Sequence, residues 1–353
     1  MKIEIHKLQI LRRTVQITVI LMMLLVPAIA RYANSVAADD IDSQMKSWEG
    51  SFQGNTLAGI DTVFRALPNG EMTRPGLDTP ERDHQGVINY SRAFHGGPWS
   101  AELFGLSMTD PLGAAESIVA RKHVAKVVLI SLIIPILLTA LFGRIFCSWI
   151  CPMGLLLEIT DKFRKVLKFL EIKTYNVRFT RGTKFALLVV GLISSAILSV
   201  PILGYVYPPA IISRELHDLI FTLFDRAEAK LLGFTFVGLT WMSLILLGII
   251  LFEVVISRRW WCRYVCPGGA LYILLGIKRP VRIKLLESKC THCVDCVVAC
   301  PMGLNPMNNQ MGAECDNCGA CISSCHDDAL KYSVGLGTAT QTEEESDTMA
   351  ATR

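Results

Sequence analysis

The feature that most constrains this chain is a pair of cysteine runs near its C-terminus. Cys290-Thr-His-Cys293-Val-Asp-Cys296-Val-Val-Ala-Cys300-Pro301 is followed by Cys315-Asp-Asn-Cys318-Gly-Ala-Cys321-Ile-Ser-Ser-Cys325. Both read C-x2-C-x2-C-x3-C. That spacing lets three thiolates of a run wrap one cubane iron–sulfur cluster while the fourth reaches the other cluster. The expected ligand sets are therefore crossed: Cys290, Cys293, Cys296 and Cys325 for cluster 1, and Cys315, Cys318, Cys321 and Cys300 for cluster 2. Zinc is the competing reading, but zinc sites pair two C-x2-C hooks rather than two runs of four. Disulfides are disfavoured in a reducing compartment. The second run is followed by His326 where proline is usual, which alters a turn and removes no ligand.

The remaining four of the 12 cysteines form an internal repeat. Arg144-Ile-Phe-Cys147-Ser-Trp-Ile-Cys151-Pro152 recurs as Arg259-Trp-Trp-Cys262-Arg-Tyr-Val-Cys266-Pro267. The i, i+4 spacing puts both sulfurs of a copy on one face if the segment is helical, and the proline suits a new helix start. Four thiolates suffice for a third cluster. A redox thiol pair, a soft-metal site such as Cu(I) and plain packing are the other readings.

The chain is 51% hydrophobic and 19% charged, short of the ~25% charge of soluble domains. Four apolar stretches, about 14–30, 124–142, 185–205 and 234–256, approach the ~20 residues that span a bilayer as a helix. Between them the charges are sorted. Residues 144–184 carry nine Lys/Arg against three Asp/Glu, and 258–289 carry eight against one; 204–233 carry three against four, and 31–122 eight against twelve. Positive segments stay on the cytoplasmic side. The expectation is a membrane all-α protein of four transmembrane helices, with a C-terminal cytoplasmic dicluster ferredoxin domain of α+β type. Residues 1–32 would hold helix 1, or a signal peptide ending at Ala28-Ile29-Ala30; a retained helix is favoured. Residues 33–122 would form a periplasmic loop or small domain, 123–289 helices 2–4 with both C-x3-C-P motifs at the cytoplasmic face, 290–333 the ferredoxin domain, and 334–353 a disordered tail.

At these residues the chain resembles the NapH-type membrane ferredoxins, a group akin to the MauN and NosR proteins. Phe146–Pro152 resembles the first C-x3-C-P motif of that family and Trp261–Tyr272 the second. Arg12-Arg13-Thr-Val-Gln16 is similar to the start of its first helix, Leu106–Leu112 to its T-D-P-L entry into the second, and Pro208/Pro209 with Arg214 to a loop after the third. Residues 33–85 depart from the pattern as an insertion. The resemblance implies a bacterial inner-membrane electron-transfer subunit, a quinol-dehydrogenase component rather than a complete enzyme. It also implies a partner ferredoxin or cytochrome c subunit and a terminal periplasmic oxidoreductase such as a nitrate reductase.

Quinol oxidation releases protons with its electrons, so titratable groups near bilayer depth are its candidate catalytic residues. Glu253, in the fourth apolar stretch about nine residues before Cys262, is one; Glu215 and His217, near Asp218 and Arg214, are others. His95, among Phe94 and Trp99, reads as an interface anchor. No C-x-x-C-H occurs, so a c-type haem is not expected. His123 and His217 lie only at the outer edges of spans, which disfavours a haem held between helices. The glycine pairs lack a strand–loop–helix context, so nucleotide binding is not expected, and a net charge of +4 does not suggest nucleic acid. Two other functions fit the same residues: a membrane copper reductase using the C-x3-C-P thiols, or an assembly factor that delivers electrons to a partner enzyme.

Overall fold

The computed structural model describes residues 2–37, 52–65, 71–72, 81–82, 94–97, 100–103, 106–122, 124, 126–171, 175, 177, 179–225, 230–231, 234–235, 241–309 and 311–335. The chain divides into two compact units, residues 1–18, 110–209 and 246–353 in the first, and 19–109 and 210–245 in the second. All twelve cysteines belong to the first.

The first unit is helical around its cysteine segments. Helix α1, Lys2–Ala37, opens the chain and continues into the second unit. The next helices that matter are α2 (Pro111–Arg121), α3 (Lys126–Phe142), α4 (Ile145–Trp149), α5 (Pro152–Phe169) and α6 (Thr183–Leu198). Helix α7 (Trp241–Val255) leads to a turn of π-helix at Trp261–Val265, and α8 (Pro267–Leu275) follows. The start of α2 is written in Asp110-Pro111. The Asp110 carboxylate accepts the Leu112 and Gly113 amides at 3.0 and 3.1 Å, and proline occupies the first helical position, where its missing N–H costs nothing. The N-terminal stretch of α1 is tied down by Arg12, 2.6 Å from Glu158, and by Gln16, which donates to the Ser148 carbonyl at 2.8 Å.

The segment holding the two cysteine runs is closed by a two-stranded antiparallel sheet, β1 (Val281–Leu285) with β2 (Leu330–Val334), in the register Val281 to Val334 through Leu285 to Leu330. Between the strands lie two short helices, Asp295–Ala299 and Ala320–Ser323. Ile283, Met302, Leu304, Met311, Ile322 and Leu330 form its core together with the cysteines.

Several boundaries differ from the sequence expectation. The sheet that closes over the cysteine runs begins at Val281, ahead of the expected start at 290, because its first strand carries no cysteine to announce it. Val334 is the last residue of that sheet, so the solvated tail cannot begin there; residues 336–353 lie outside the described residues. The fourth apolar stretch does not start as a helix at Phe234, which pairs with Leu231 in a short strand, and α7 begins at Trp241. The third helix ends at Leu198, with Ser199 left-handed and Pro201 beyond it. Among the described residues one helical stretch, His6–Ile29, is both long and apolar enough to cross a membrane; Lys126–Phe142, Thr183–Leu198 and Ser243–Val255 are shorter apolar helices. At 1.5 Å per residue these reach roughly 20–26 Å, short of the ~30 Å hydrocarbon core.

The second unit contains a three-stranded antiparallel sheet in which Phe94–Gly97 pairs with Ser100–Leu103, and the latter with Leu106–Thr109. His95 lies opposite Glu102 in this register. Pro98, Trp99, His123 and most of the insertion at 33–85 lie outside the described residues.

Candidate iron–sulfur centres

The eight ferredoxin cysteines line two separate cavities. One is lined by Cys300, Cys315, Cys318 and Cys321 with Ile283, Met302, Leu304 and Met311. The other is lined by Cys290, Cys293, Cys296 and Cys325 with Leu285, Met307 and Leu330. In each, three cysteines come from one run and one from the other. Among the described residues no three His, Cys, Asp or Glu side chains gather tightly enough to ligate a single metal ion. A cubane asks for a different arrangement, with each thiolate taking its own iron and the four sulfurs standing around a void. All eight are free thiols, and the donor chemistry of both cavities fits such a cluster. Backbone amides already point at sulfur: Leu304 N–H donates to Cys300 Sγ at 3.4 Å and Ala329 N–H to Cys325 Sγ at 3.3 Å. Such bonds tune cluster potential.

The two C-x3-C-P copies converge, though not as the helical spacing suggests. Cys147 lies inside α4, but Cys151 follows that helix and directly precedes Pro152, the first residue of α5. Cys262 lies in the π-turn, and Cys266 caps α8, its sulfur accepting from Gly269 N–H at 3.4 Å. In each copy the proline after the second cysteine opens a new helix, as expected. The four thiols are close enough to repel one another. Burial, then the neighbouring Cys147, pushes Cys266 up to about 12. Burial also raises Cys147, Cys151 and Cys262, and the charges of Cys147 and Cys266 add to the effect on Cys151. In their metal-free form these are neutral thiols, and anything that binds them must displace protons.

The first residue of each repeat carries the positive charge that answers them. Arg144 is 1% exposed; it donates to the Cys262 carbonyl at 3.2 Å and to the Glu314 carboxylate at 2.9 Å. It thereby joins the two repeat copies to the residue before Cys315. Lys184 is the second cation on Glu314. Burial alone would raise the Glu314 carboxyl, but Arg144 and Lys184 prevail and hold it below the usual range. The repeat mate Arg259 lies 3.6 Å from Asp161 and in the field of both Cys262 and Cys318. A close approach requires glycine here: a Cβ on Gly269 would meet the Arg144 guanidinium at 2.8 Å.

Asp110, Tyr207 and Tyr272 form a buried set beside these thiols that the sequence reading did not single out. One Asp110 oxygen caps α2, and the other accepts from Tyr207 Oη at 3.4 Å and from Tyr272 Oη. Burial raises the Asp110 carboxyl despite these donors. Phe146, next to Cys147, stacks on Tyr272 at 5.6 Å. Asp-Pro signalled the cap; nothing local signalled the tyrosines.

Glu253 lies in α7 and is 1% exposed. Its Oε1 accepts the Trp261 amide at 2.9 Å, while its Oε2 and the indole N–H groups of Trp260 and Trp261 find no partner among the described residues. Phe252 lies 4.5 Å and Phe179 5.8 Å from the Trp260 ring. Glu215 and His217 belong to the second unit, where His217 lies 3.8 Å from Asp218 in an exposed pair.

Two crossed four-cysteine cavities and a converging thiol pair define a ferredoxin-type iron–sulfur electron-transfer protein. A family profile described as "4Fe-4S binding domain" matches residues 124–169 and 238–284, one C-x3-C-P copy in each. The chain is 29% identical over 240 residues to the Ferredoxin-type protein NapH of Haemophilus influenzae, covering 65% of this chain and 76% of that one. It is 28% identical over 248 residues to the Escherichia coli protein of the same name, covering 67% and 78%. With the Methylamine utilization ferredoxin-type protein MauN of Methylobacillus flagellatus it shares 31% identity over 213 residues, 60% of this chain and 67% of the relative. No solved structure matches the chain. The chain belongs to the NapH/MauN family of ferredoxin-type proteins.

Proposed function

We propose that the protein is a multi-pass inner-membrane subunit that passes electrons between the quinol pool and a redox partner. It would hold two 4Fe–4S clusters in the ferredoxin cavities and a third centre on Cys147, Cys151, Cys262 and Cys266. The observation that carries the reading is the crossed lining of the two cavities, which brings four sulfurs to each. When bound, such clusters accept and release one electron at a time.

The chain's own residues supply the rest. A quinol losing two electrons also sheds two protons, so its site needs an acceptor near the first electron carrier. Among the described residues Glu253 Oε2 is buried without a partner, as are the indole N–H groups of Trp260 and Trp261, near a wall of aromatic rings at the start of the second C-x3-C-P copy. That combination suits a flat headgroup with two oxygens. Arg144 and Arg259 offset the negative charge that accumulates on the thiolate-bound centres. The biased loop charges support a cytoplasmic N-terminus and ferredoxin domain and a periplasmic segment 33–122. The family resemblance supports, as partners, a ferredoxin or cytochrome c subunit and then a periplasmic reductase such as a nitrate reductase. Three short apolar helices would cross only with thinning of the bilayer or with flanking residues reaching the interface.

The test uses anaerobically purified protein with cluster absorbance established. A short-chain quinol is added and reduction is followed by absorbance and EPR, with dithionite as the full-reduction control. Reduction by quinol, slowed in Glu253→Gln, supports the reading. Reduction by dithionite alone removes quinol oxidation from this chain. Copper-dependent turnover that is lost with Cys147→Ser while the ferredoxin signals persist would transfer the function to a copper reductase.

A further inference from the structure

The two ferredoxin cavities face different neighbours. The loop around Cys300, Cys315 and Cys318 is held by the helical part of its unit at every turn. Arg263 donates to the Pro301 carbonyl at 2.9 Å, Arg279 to that of Cys315 at 2.6 Å, Ser148 to that of Asp316 at 2.7 Å and Gln9 to that of Cys318 at 2.7 Å. This cavity is therefore inboard, next to the C-x3-C cysteines. The loop Thr291–Asp295 at the other cavity is exposed throughout, Cys293 included, and Val298 is 72% exposed beside it.

That outboard face also has its own sign. Residues 287–298 and 325–328 carry Glu287, Asp295, Asp327 and Asp328 against Lys289, and Arg258, which reaches the Val298 carbonyl at 3.1 Å, is itself bonded to Asp161 at 2.8 Å; the whole chain by contrast is +4. Asp295 is half exposed, with His326 3.6 Å away, and Thr291 donates to the exposed Asp327. Electron transfer falls off steeply with distance, so a partner must dock where a centre comes closest to the surface. Exposed valines beside an acidic rim are the complement of an apolar contact ringed by basic residues.

We propose that the Thr291–Val298 and His326–Asp328 face is the docking surface for a redox protein on the same, cytoplasmic side of the membrane, separate from the periplasmic partners, whose own centre lies under a lysine- or arginine-rimmed patch. This rests on the reading of the cavities as cluster sites and adds their order: C-x3-C centre, Cys300/315/318/321 cavity, Cys290/293/296/325 cavity, partner. The chain's own residues 336–353 have the wrong sign to cover the face, with Glu343, Glu344, Glu345 and Asp347 against Arg353. A second copy would bring acid against acid.

The experiment uses the full-length, cluster-loaded protein, reduced anaerobically, with a lysine-rimmed c-type cytochrome as oxidant. The same cytochrome with its lysines succinylated is the charge-reversed probe. Cluster bleaching and cytochrome reduction are followed together as salt rises from about 0.01 to 1 M, which shortens the screening length from ~30 to ~3 Å. The native cytochrome should react at least about tenfold faster at low salt than at high salt, and the succinylated form should lose that advantage. Combining Asp295→Asn, Asp327→Asn and Asp328→Asn should slow the low-salt rate several-fold, with the rates merging at high salt; asparagine tolerates the left-handed backbone of Asp328, φ 51°. Asp295→Lys should speed the succinylated probe. Salt-independent rates, or a triple variant as fast as the parent, would overturn the docking surface. The cluster absorbance in the same traces reports on the cavity reading separately.

Discussion

The two ferredoxin cavities are built from the same C-x2-C-x2-C-x3-C spacing and differ in how the chain around them is held and how far it is exposed. Cys315, Cys318 and Cys321 are buried, and the backbone around them is hydrogen-bonded to buried arginines. Burial raises Cys300, Cys318 and Cys321 and pushes Cys315 up to about 11. Around the other cavity Cys296 and Cys325 are buried too, but Cys293 is exposed, and Arg258 reaches the loop from the helical part, donating to the Val298 carbonyl at 3.1 Å. A repeat in sequence is thus not a repeat in environment. Cluster potential depends on hydrogen bonds to sulfur and on solvent exposure, so two centres with one ligand pattern are expected to have separate potentials.

The strongest way to break the comparison is to cut the crossing. Cys300→Ser should remove the inboard centre and leave the outboard one, although Cys300 lies in the run that supplies Cys290, Cys293 and Cys296. Cys325→Ser should do the reverse. EPR of the two reduced variants should show complementary losses; both variants losing the same signal would mean uncrossed ligation.

Arg144 sharpens the contrast by acting on one side only. Arg144→Gln leaves Glu314 with Lys184 as its remaining cation and removes the donor on the Cys262 carbonyl. Breaking a buried ion pair costs about 3–5 kcal/mol, so thermal unfolding should fall by many degrees. In protein that stays folded, the potential of the inboard centre should move down, because a positive charge that favours the reduced form is gone, while the outboard potential holds. Equal shifts in both would contradict the inboard assignment.

The gentlest probe is alkylation of the metal-free protein against pH. A raised thiol pKa keeps the neutral form in the folded state, so thiolate is scarce at neutral pH and grows about tenfold per pH unit up to the folded pKa. At pH 8 Cys315 should be roughly a thousandth thiolate and label slowly, whereas exposed Cys293 should label first. The same sign applies to stability: it is fully present below the ordinary thiol value of about 8.5 and is lost as pH climbs toward 11. Mass spectrometry of the labelled cysteines reads both. Simultaneous labelling of the two cavities at neutral pH would show that the burial difference is absent in solution.

Much of the cysteine chemistry was legible locally. Spacing names thiolates for a cubane because the ligand geometry of a short loop depends on few intervening residues. Pro152 and Pro267 mark helix starts for the same reason, whereas the entry at Asp110-Pro111 was read only from the family resemblance. Apolar runs foretell helices, but their lengths were overread: Phe234 entered a strand and Leu198 ended a helix before a left-handed serine and a proline. The closing strand Val281–Leu285 left no mark because a five-residue strand needs its partner, Leu330–Val334, to exist at all.

The sequence by itself determined which residues can ligate metal, that two copies of C-x3-C-P exist, and where the positive segments fall, since each is a statement about neighbours along the chain. Only the tertiary structure decided that the copies converge, that Arg144 spans from Cys262 to Glu314, that Tyr207 and Tyr272 close on Asp110, and which cavity faces outward. Those contacts join residues scores of positions apart. Spacing along a chain does not encode such pairs; they are selected when the helices pack and every buried charge must find its partner.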